Sequence, residues 1–329
     1  MNGAYDVDSP SPQNNTMSPD AFEWIIVLWF AVVGGAVGSF LNVVVYRLPL
    51  GISLIHPPSH CPVCKRFIRW YDNVPVFGWI FLRGRCRDCG CQISVRYPLV
   101  EAVSAAMFGI PAAVLHLSDG SYLPERTVEV AGGIFLPANT VEVAEGIFVS
   151  GSSVLQLYGI YLFHTLLLCT LLAAALIEYD RTRPPWRLFV PALLVGIFAP
   201  LIWPMLRPVP ACPHIADNLS GAVDGLAGIM AGAALGGAAW LISRLARKNA
   251  AGEQRHPAGL LLCLLCIGLY LGWQAVLGIA LAAAAAQCLA WPLRRRMPDA
   301  KLPPSLWLPP LAFVWILAWS SLVARWAAC

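Results

Sequence analysis

Four cysteines near the start of the chain are spaced for metal binding. Cys61-Pro-Val-Cys64 and Cys86-Arg-Asp-Cys89 are two CxxC pairs separated by 21 residues. Two such pairs bring four thiolates into a tetrahedron about 2.3 Å from a Zn²⁺ ion, and the length between them suits a zinc ribbon. The sequence therefore predicts a structural zinc site, with metal-free or redox-active thiols as the alternative. Cys91 follows closely and could replace Cys89 as a ligand.

Carboxylates in or beside apolar segments are the second candidate chemistry. Glu178 and Asp180 end one apolar stretch, and Asp224 lies inside another. An acid within a membrane costs a few kcal/mol to insert, so such residues are functional candidates. The alternative for Glu178 is a solvated acid paired with Arg181. For Asp224 the alternative is a structural polar group with a bonding partner.

A membrane must position these residues. Hydrophobic residues make up 58% of the 329-residue chain and charged residues 12%, against roughly 25% charged residues in soluble domains. Stretches of about 18 or more apolar residues can cross a hydrocarbon core of about 30 Å as helices. We therefore expect an all-α polytopic membrane protein with about eight transmembrane helices, at residues 22–46, 98–115, 154–177, 188–206, 219–241, 259–273, 275–291 and 306–326. The sixth and seventh form one long run, which we divide at Gly272-Trp273-Gln274.

The lysine and arginine residues indicate the orientation. The stretch between the first two helices carries eight basic residues and only the acids Asp72 and Asp88. Cytoplasmic loops are enriched in lysine and arginine, so this insert is expected in the cytoplasm and the N-terminus outside. Basic clusters after the third, fifth and seventh helices fall on the same side. Basic loops facing anionic lipid explain the net charge of +4, which needs no nucleic-acid partner.

These features divide the chain into four parts. Residues 1–20 are a polar tail without a signal-peptide signature, residues 21–48 the first transmembrane helix, residues 49–97 the cytoplasmic insert, and residues 98–329 a multi-helix membrane domain with an outer loop at 117–153. That loop contains TVEVAGGIF at 127–135 and its near-copy TVEVAEGIF at 140–148. Valine alternating with polar residues before a glycine predicts a small hairpin. The repetition itself is expected to be a duplication in a tolerant loop.

Two longer runs resemble a known family. Residues 38–49 read GSFLNVVVYRLP, and residues 56–101 read HPPSHCPVCKRFIRWYDNVPVFGWIFLRGRCRDCGCQISVRYPLVE. Both resemble the N-terminal half of type IV prepilin peptidases. The resemblance implies a multi-pass aspartic protease of the bacterial inner membrane that cleaves leader peptides from prepilins or pseudopilins, in type IV pilus assembly or secretion. Bifunctional members also methylate the new N-terminus with S-adenosylmethionine. That cofactor is implied by the resemblance alone, because no GxGxxG motif follows a predicted strand.

The resemblance also assigns a position to the first catalytic aspartate. The family motif LIDxxxxxLPD corresponds to residues 176–186, where Glu178 occupies the position of the aspartate and Pro185 fixes the register. Asp180 is a possible substitute for the acid. Glutamate could replace aspartate only if the backbone moved to accommodate an extra methylene group, about 1.5 Å. A displacement of that size costs ~100-fold in rate.

The second aspartate is replaced by a hydrocarbon. The family motif GxGDxKLLAAxGxxLGW corresponds to residues 257–273, with Leu260 at the aspartate and Leu262 at the lysine. An aspartic protease needs two carboxylates that share a proton around one water, and leucine is chemically incompetent in that role. We therefore expect a relative of prepilin peptidases with impaired proteolysis.

Two other functions remain open from the sequence. One is an active, divergent aspartic peptidase that uses Glu178 with another acid, such as Asp180 or Glu253. The other is a non-enzymatic membrane protein, either an assembly factor that depends on zinc or a transporter. Transporters commonly contain inverted repeats, and no such repeat relates the two halves of this sequence.

Overall fold

The computed structural model describes residues 21–117, 127–130, 134–137, 154–203, 206, 218–247, 257–290 and 303–318. Within these residues the chain is mostly helical, as its long apolar runs predict. The helices are α1 Ala21–Arg47, α2 Phe77–Phe81, α3 Arg96–Leu117, α4 Val154–Tyr179, α5 Val190–Ile202, α6 Asn218–Arg247, α7 Pro257–Leu271, α8 Trp273–Leu289 and α9 Leu308–Leu317. Short 3-10 turns cover Trp70–Asn73, Trp186–Leu188 and Pro304–Trp307.

Within the described ranges, four helices are long and apolar enough to cross a membrane. They are Ala21–Arg47, Arg96–Leu117, Leu157–Tyr179 and Val223–Leu245. The other four predicted spans are also apolar helices near their predicted positions, but they are shorter: Trp186–Ile202, Ala258–Leu271, Trp273–Leu289 and Pro304–Leu317. The structure is therefore that of a mostly helical protein with four candidate membrane-spanning helices and four shorter apolar ones among the described residues.

A glycine divides the longest apolar run. Gly272 has φ 85° and ψ 174°, a backbone conformation that side chains with a Cβ rarely adopt. α7 therefore ends at Leu271 and α8 begins at Trp273. The predicted division at this point is confirmed.

α4 is the centre of the described bundle. It packs against α1, α3, α5, α7 and α9. Ile160, Leu167 and Ala174 along it have no exposed surface. Because other helices surround α4, an acid near the end of α4 lies close to the ends of several other segments.

α6 and α7 approach each other more closely than side chains would permit. A Cβ at Gly228 would lie 1.9 Å from the carbonyl oxygen of Gly268, and a Cβ at Gly236 would lie 2.9 Å from the Cα of Leu261. Close backbone packing of small residues is a main source of helix association in lipid. The contacts also fix the register, because the pair runs antiparallel with residue 228 opposite 268 and residue 236 opposite 261.

The insert between α1 and α3 contacts both helices through Pro75 and Val76. We call these two residues the tip. A Cβ at Gly35 would lie 3.1 Å from the Cβ of Pro75. The Val76 N–H donates to Oε2 of Glu101 at 2.7 Å. Val76 has φ 63° and ψ −54°, and the Phe77 N–H donates to the Pro75 carbonyl at 2.6 Å. This γ-turn is strained for a β-branched residue, so the contacts with α1 and α3 hold the tip in place.

Replacing Glu101 with alanine is expected to loosen the tip. The Val76 N–H would lose its acceptor, and an unpaired buried donor costs about 1–3 kcal/mol. Hydrogen exchange of residues 74–82 in the purified protein should therefore become faster. Glu101→Gln is the matched control, because its side-chain oxygen can still accept the bond. Equal exchange in the alanine variant and the wild type would contradict the predicted role.

The first copy of the duplicated sequence forms the predicted hairpin strands. β1 Thr127–Val130 pairs antiparallel with β2 Ile134–Pro137, with Thr127 opposite Pro137 and Val130 opposite Ile134. The second copy at residues 140–148 and the tail at residues 1–20 lie outside the described residues.

Candidate active site and metal centre

Two nearly identical turns carry the cysteine pairs. The Lys65 N–H donates to the Cys61 carbonyl at 2.9 Å, and the Gly90 N–H donates to the Cys86 carbonyl at the same distance. Lys65 and Gly90 occupy equivalent left-handed positions, with φ 59° and 72°. The repeated backbone geometry directs both cysteines of each pair towards one point.

The four predicted ligands are brought together. The sulfur atoms of Cys61, Cys64, Cys86 and Cys89 all lie within 4.8 Å of one another. The Cys61 and Cys89 sulfurs are 3.8 Å apart, which is about the spacing expected between ligands at ~2.3 Å from a tetrahedral Zn²⁺. This cluster could therefore hold a metal ion. The Cys91 sulfur lies 3.4 Å from that of Cys61, so a fifth thiol borders the cluster.

The thiols differ in acidity. Hydrogen bonding from the Cys64 backbone, together with that from Val63 and Cys91, lowers the pKa of Cys61 to about 6 against the opposing effect of burial. A hydrogen bond from the Arg66 backbone favours the thiolate of Cys64, but burial and the neighbouring cysteines raise its pKa to about 11. The cluster thus presents one thiolate near neutral pH, and a bound cation would displace the remaining protons.

Ion pairs connect the second cysteine turn to the segment that contains Arg69 and Asp72. Arg87 Nη2 lies 2.5 Å from Asp72 Oδ1, and Arg69 Nη2 lies 3.1 Å from Asp88 Oδ1. The hydrogen bond from Arg87 lowers the pKa of Asp72 below its usual range. The 3-10 turn that contains Asp72 is therefore tied to the second cysteine turn.

Acid is expected to break the Asp72–Arg87 pair only well below neutral pH. Because the folded pKa of Asp72 is depressed, the contribution of this pair to stability is complete above the unfolded value of about 3.9. That contribution is lost as the pH falls through the lower, folded value. The Nε resonance of Arg87 in a ¹⁵N NMR titration should remain in its bonded position down to about pH 4. An Asp72→Asn variant should lack the transition, and release of Arg87 near pH 6 in the wild type would contradict this prediction.

Glu178 lies where four segments meet. Near the end of α4, its Oε2 accepts a hydrogen bond from the Ser305 hydroxyl, in the turn before α9. A Cβ at Gly259, at the start of α7, would lie 1.9 Å from Oε1 of Glu178 and 3.1 Å from Cγ of Pro184. The side chain is bonded to Ser305 and forms no ion pair with Arg181, both of which are described residues. The solvated, paired acid that the sequence allowed is therefore not what the structure shows.

The second assigned position adjoins this junction. Leu260 directly follows Gly259 and packs against the hydrophobic core, as does Leu262. The structure thus brings residue 178 next to the start of α7, where the resemblance assigns the second acid. One of the two positions carries a carboxylate and the other a hydrocarbon.

The two other candidate acids that the structure describes, Asp180 and Asp224, have different surroundings from Glu178. Asp180 forms an ion pair with Arg96 of α3 at 2.5 Å. Asp224 is buried in α6. The register of α6 against α7 places Asp224 near the C-terminal end of α7, whereas Gly259 is near the N-terminal end. At 1.5 Å per residue, Asp224 is about 20 Å from Gly259 along the helix. Glu253 lies outside the described residues.

Comparison with known proteins assigns the first part of the chain. Residues 32–115 match the family model described as the bacterial peptidase A24 N-terminal domain. This segment is therefore similar to that domain family. The prepilin leader peptidase/N-methyltransferase of Myxococcus xanthus is 48% identical over 90 residues, 27% of each chain. The enzyme of the same name from Klebsiella pneumoniae is 45% identical over 105 residues, 29% of this chain and 46% of the relative. The type 4 prepilin-like proteins leader peptide-processing enzyme of Escherichia coli is 45% identical over 103 residues, 26% of this chain and 38% of the relative.

These matches span less than half the length of each relative, and no solved structure matches the chain. The A24 N-terminal domain contains the cysteine cluster, the tip and most of α1 and α3. Glu178 and Leu260 lie beyond it. Their assignment as catalytic positions therefore depends on the motif resemblance and on the geometry of this chain.

Two contacts near the end of α4 have no strong signal in the sequence. Ser305 is a lone hydroxyl between prolines and an apolar helix, and it lies 127 residues from Glu178. Arg96 is one of the eight basic residues between the first two predicted helices, and in the structure it forms an ion pair with Asp180. Among the described residues no strand leads through a glycine-rich turn into a helix, so they offer no Rossmann-type site for S-adenosylmethionine.

Proposed function

We propose that the chain is a membrane protein of the prepilin peptidase type that engages a prepilin or pseudopilin helix and is impaired in cleaving it. The contact of Glu178 with the start of α7 supports the proposal. It juxtaposes the two positions that the family resemblance assigns to acids, and position 260 holds leucine. The A24 N-terminal domain at residues 32–115 supports the relationship to enzymes that act on prepilins.

Peptide hydrolysis at this junction lacks one of two proton-transfer groups. One carboxylate must accept a proton from the attacking water while a second donates to the scissile carbonyl. Glu178 could perform one role, with Ser305 orienting its carboxyl group. A positioned proton-transfer group contributes typically 10²–10⁴-fold to the rate, so its loss leaves a scaffold with little or no hydrolysis.

An active, divergent peptidase is the second candidate. Oε1 of Glu178 accepts no hydrogen bond from the described residues and could therefore bind a catalytic water. Asp180 could join it only after leaving Arg96, and Glu253 is the further alternative. This candidate requires an acid that approaches Glu178 during the reaction.

A cleavage assay distinguishes the two candidates. Purified full-length protein in detergent is incubated with a prepilin, and processing is compared between wild type and Glu178→Gln. We expect no processing above the level of Glu178→Gln, while the prepilin is still retained by the immobilised protein. Wild-type processing that Glu178→Gln abolishes would favour the active peptidase. Failure to retain the prepilin would contradict substrate binding.

We also propose that all eight apolar helices at the predicted spans cross the bacterial inner membrane, with the N-terminus outside and residues 49–97 in the cytoplasm. The basic residues of the insert support this orientation. A reducing cytoplasm would keep the four thiols available for Zn²⁺, which we propose as the bound metal. Reporter fusions after residues 95, 181 and 247 should all report a cytoplasmic location.

A further inference from the structure

The tip of the insert contacts α1 and α3 at some distance from the ends of these helices that adjoin the insert. The start of α3 lies beside Asn42 of α1, since Nδ2 of Asn42 donates to the Tyr97 carbonyl at 3.2 Å. Glu101, which binds the tip, is about 7.5 Å along α3 from its start at Arg96. Gly35, which contacts Pro75, is about 10.5 Å along α1 from Asn42. Because both helices are long enough to cross a membrane, these contacts place the tip below the surface of the leaflet on the side of the insert.

The backbone of the tip is suited to that depth. Lipid provides no hydrogen-bond partners, so non-helical backbone must bond within the protein. The Val76 N–H bonds to Glu101 at 2.7 Å, the Phe77 N–H to the Pro75 carbonyl at 2.6 Å, and the Gly78 N–H to the Val74 carbonyl at 2.8 Å. Pro75 has no N–H to satisfy. The turn can therefore enter an apolar phase without exposing these donors.

The helix that follows the tip turns its large apolar side chains outward. Phe77, Ile80 and Phe81 of α2 are 59%, 53% and 79% exposed. Trp79 faces the insert, where its Nε1 donates to the Ile93 carbonyl at 3.0 Å. An apolar surface that is exposed at this depth faces acyl chains and not water.

Two arginines next to α2 lack protein partners. Arg83 and Arg85 are exposed and form no ion pair among the described residues. Three other arginines of the insert, Arg66, Arg69 and Arg87, are paired with Asp72 or Asp88. Positive charge without a counterion therefore lies directly beside the apolar surface of α2, the arrangement of an interfacial anchor.

We propose that residues 75–85 form a re-entrant lipid anchor, in which Phe77, Ile80 and Phe81 insert among the acyl chains and Arg83 and Arg85 bind phosphate groups of anionic phospholipids. The positive charge complements an anionic headgroup, and the depth of the tip places the apolar side chains below it. The anchor depends on α1 and α3 crossing the membrane and is independent of whether the chain cleaves prepilins.

Photo-cross-linking tests the apolar part. The full-length protein is placed in nanodiscs of phosphatidylcholine and phosphatidylglycerol that carry a diazirine on the acyl chain, and adducts are mapped by mass spectrometry. We expect adducts within residues 77–81 and on Leu28 and Trp29, exposed residues of α1 that serve as the positive control. Labelling of Leu28 and Trp29 without labelling of residues 77–81 would overturn the proposal. So would loss of the adducts from residues 77–81 alone when a prepilin peptide is added, since the surface would then bind a peptide.

Lipid retention tests the arginines. An arginine near an anionic surface contributes roughly fivefold to binding, so Arg83→Gln with Arg85→Gln should lower the preference for phosphatidylglycerol over phosphatidylcholine by up to about 30-fold. The preference is measured by native mass spectrometry of the protein with co-purified lipid. Lys65→Gln is the control, because it removes one exposed, unpaired charge from the cysteine turn. An unchanged preference in the double variant, or an equal loss in the control, would overturn the role of the two arginines.

Discussion

Leu260→Asp is expected to raise prepilin cleavage by about 10²–10⁴-fold over the wild-type chain. The new carboxylate would adjoin Gly259, whose backbone already contacts Glu178, so the junction would contain two acids. A second positioned proton-transfer group accounts for a gain of this size. The measurement is the amount of processed prepilin formed in a single turnover by purified protein in detergent.

Two variants make the restoration test specific. Leu260→Asn introduces a side chain of the same shape as aspartate but without a carboxylate, and this variant should remain inactive. Leu260→Asp combined with Glu178→Gln should also be inactive, because one acid is again missing. Equal cleavage by the aspartate and asparagine variants would show that position 260 does not supply a catalytic acid. A wholly inactive Leu260→Asp protein that still retains prepilin would show that the junction has lost more than one carboxylate.

Cys61→Ser is expected to abolish metal binding and unfold the insert. Structural Zn²⁺ sites contribute an apparent binding free energy of about 10–16 kcal/mol, and Cys61 is the most buried of the four ligands. Elemental analysis of the wild type should find about one zinc per chain, and the variant should contain none. Limited proteolysis should then cut the variant between the two cysteine pairs, while α1 and α3 stay in the membrane.

Cys91 provides the matched control for the metal site. Its sulfur is close to that of Cys61 at 3.4 Å, but the four sulfurs within 4.8 Å of one another belong to the two CxxC pairs. Cys91→Ser should therefore retain zinc, and Cys89→Ser should lose most of it. The reverse result would show that Cys91 replaces Cys89 as the fourth ligand.

Local signals in the sequence predicted much of the fold. Uninterrupted apolar runs predicted the positions of the long helices, and the left-handed Gly272 confirmed the predicted division of α7 from α8. The CxxC spacing predicted a cluster in which each pair of cysteines lies within one short turn, so local backbone geometry aligns each pair. The predicted hairpin strands also followed from local alternation. These features depend on neighbours in sequence, which explains their predictability.

The sequence alone did not predict the contacts between distant segments. The Ser305–Glu178 bond joins residues 127 positions apart, and no residue pattern in either segment specifies the other. The sequence did not predict the hydrogen bond between the Val76 N–H and Glu101, because a β-branched residue such as valine disfavours the backbone conformation of a γ-turn. The α5 helix is shorter than the apolar run that predicts it, since apolarity shows where a helix lies but not where tertiary packing ends it. Residues 319–326 of the last predicted span lie outside the described residues.

The seating of the tip has a consequence for biogenesis. Cys61 and Cys64 leave the ribosome before the tip, Cys86 and Cys89 leave after it, and Glu101 follows Val76 by 25 residues. The strained turn has no acceptor for its Val76 N–H until α3 has been synthesised and inserted beside α1. A nascent chain is therefore expected to arrive at the translocon with both thiol pairs open and to take up metal only after its second transmembrane helix is in place. Insertion of α3 would thus be the step after which the insert becomes resistant to proteases.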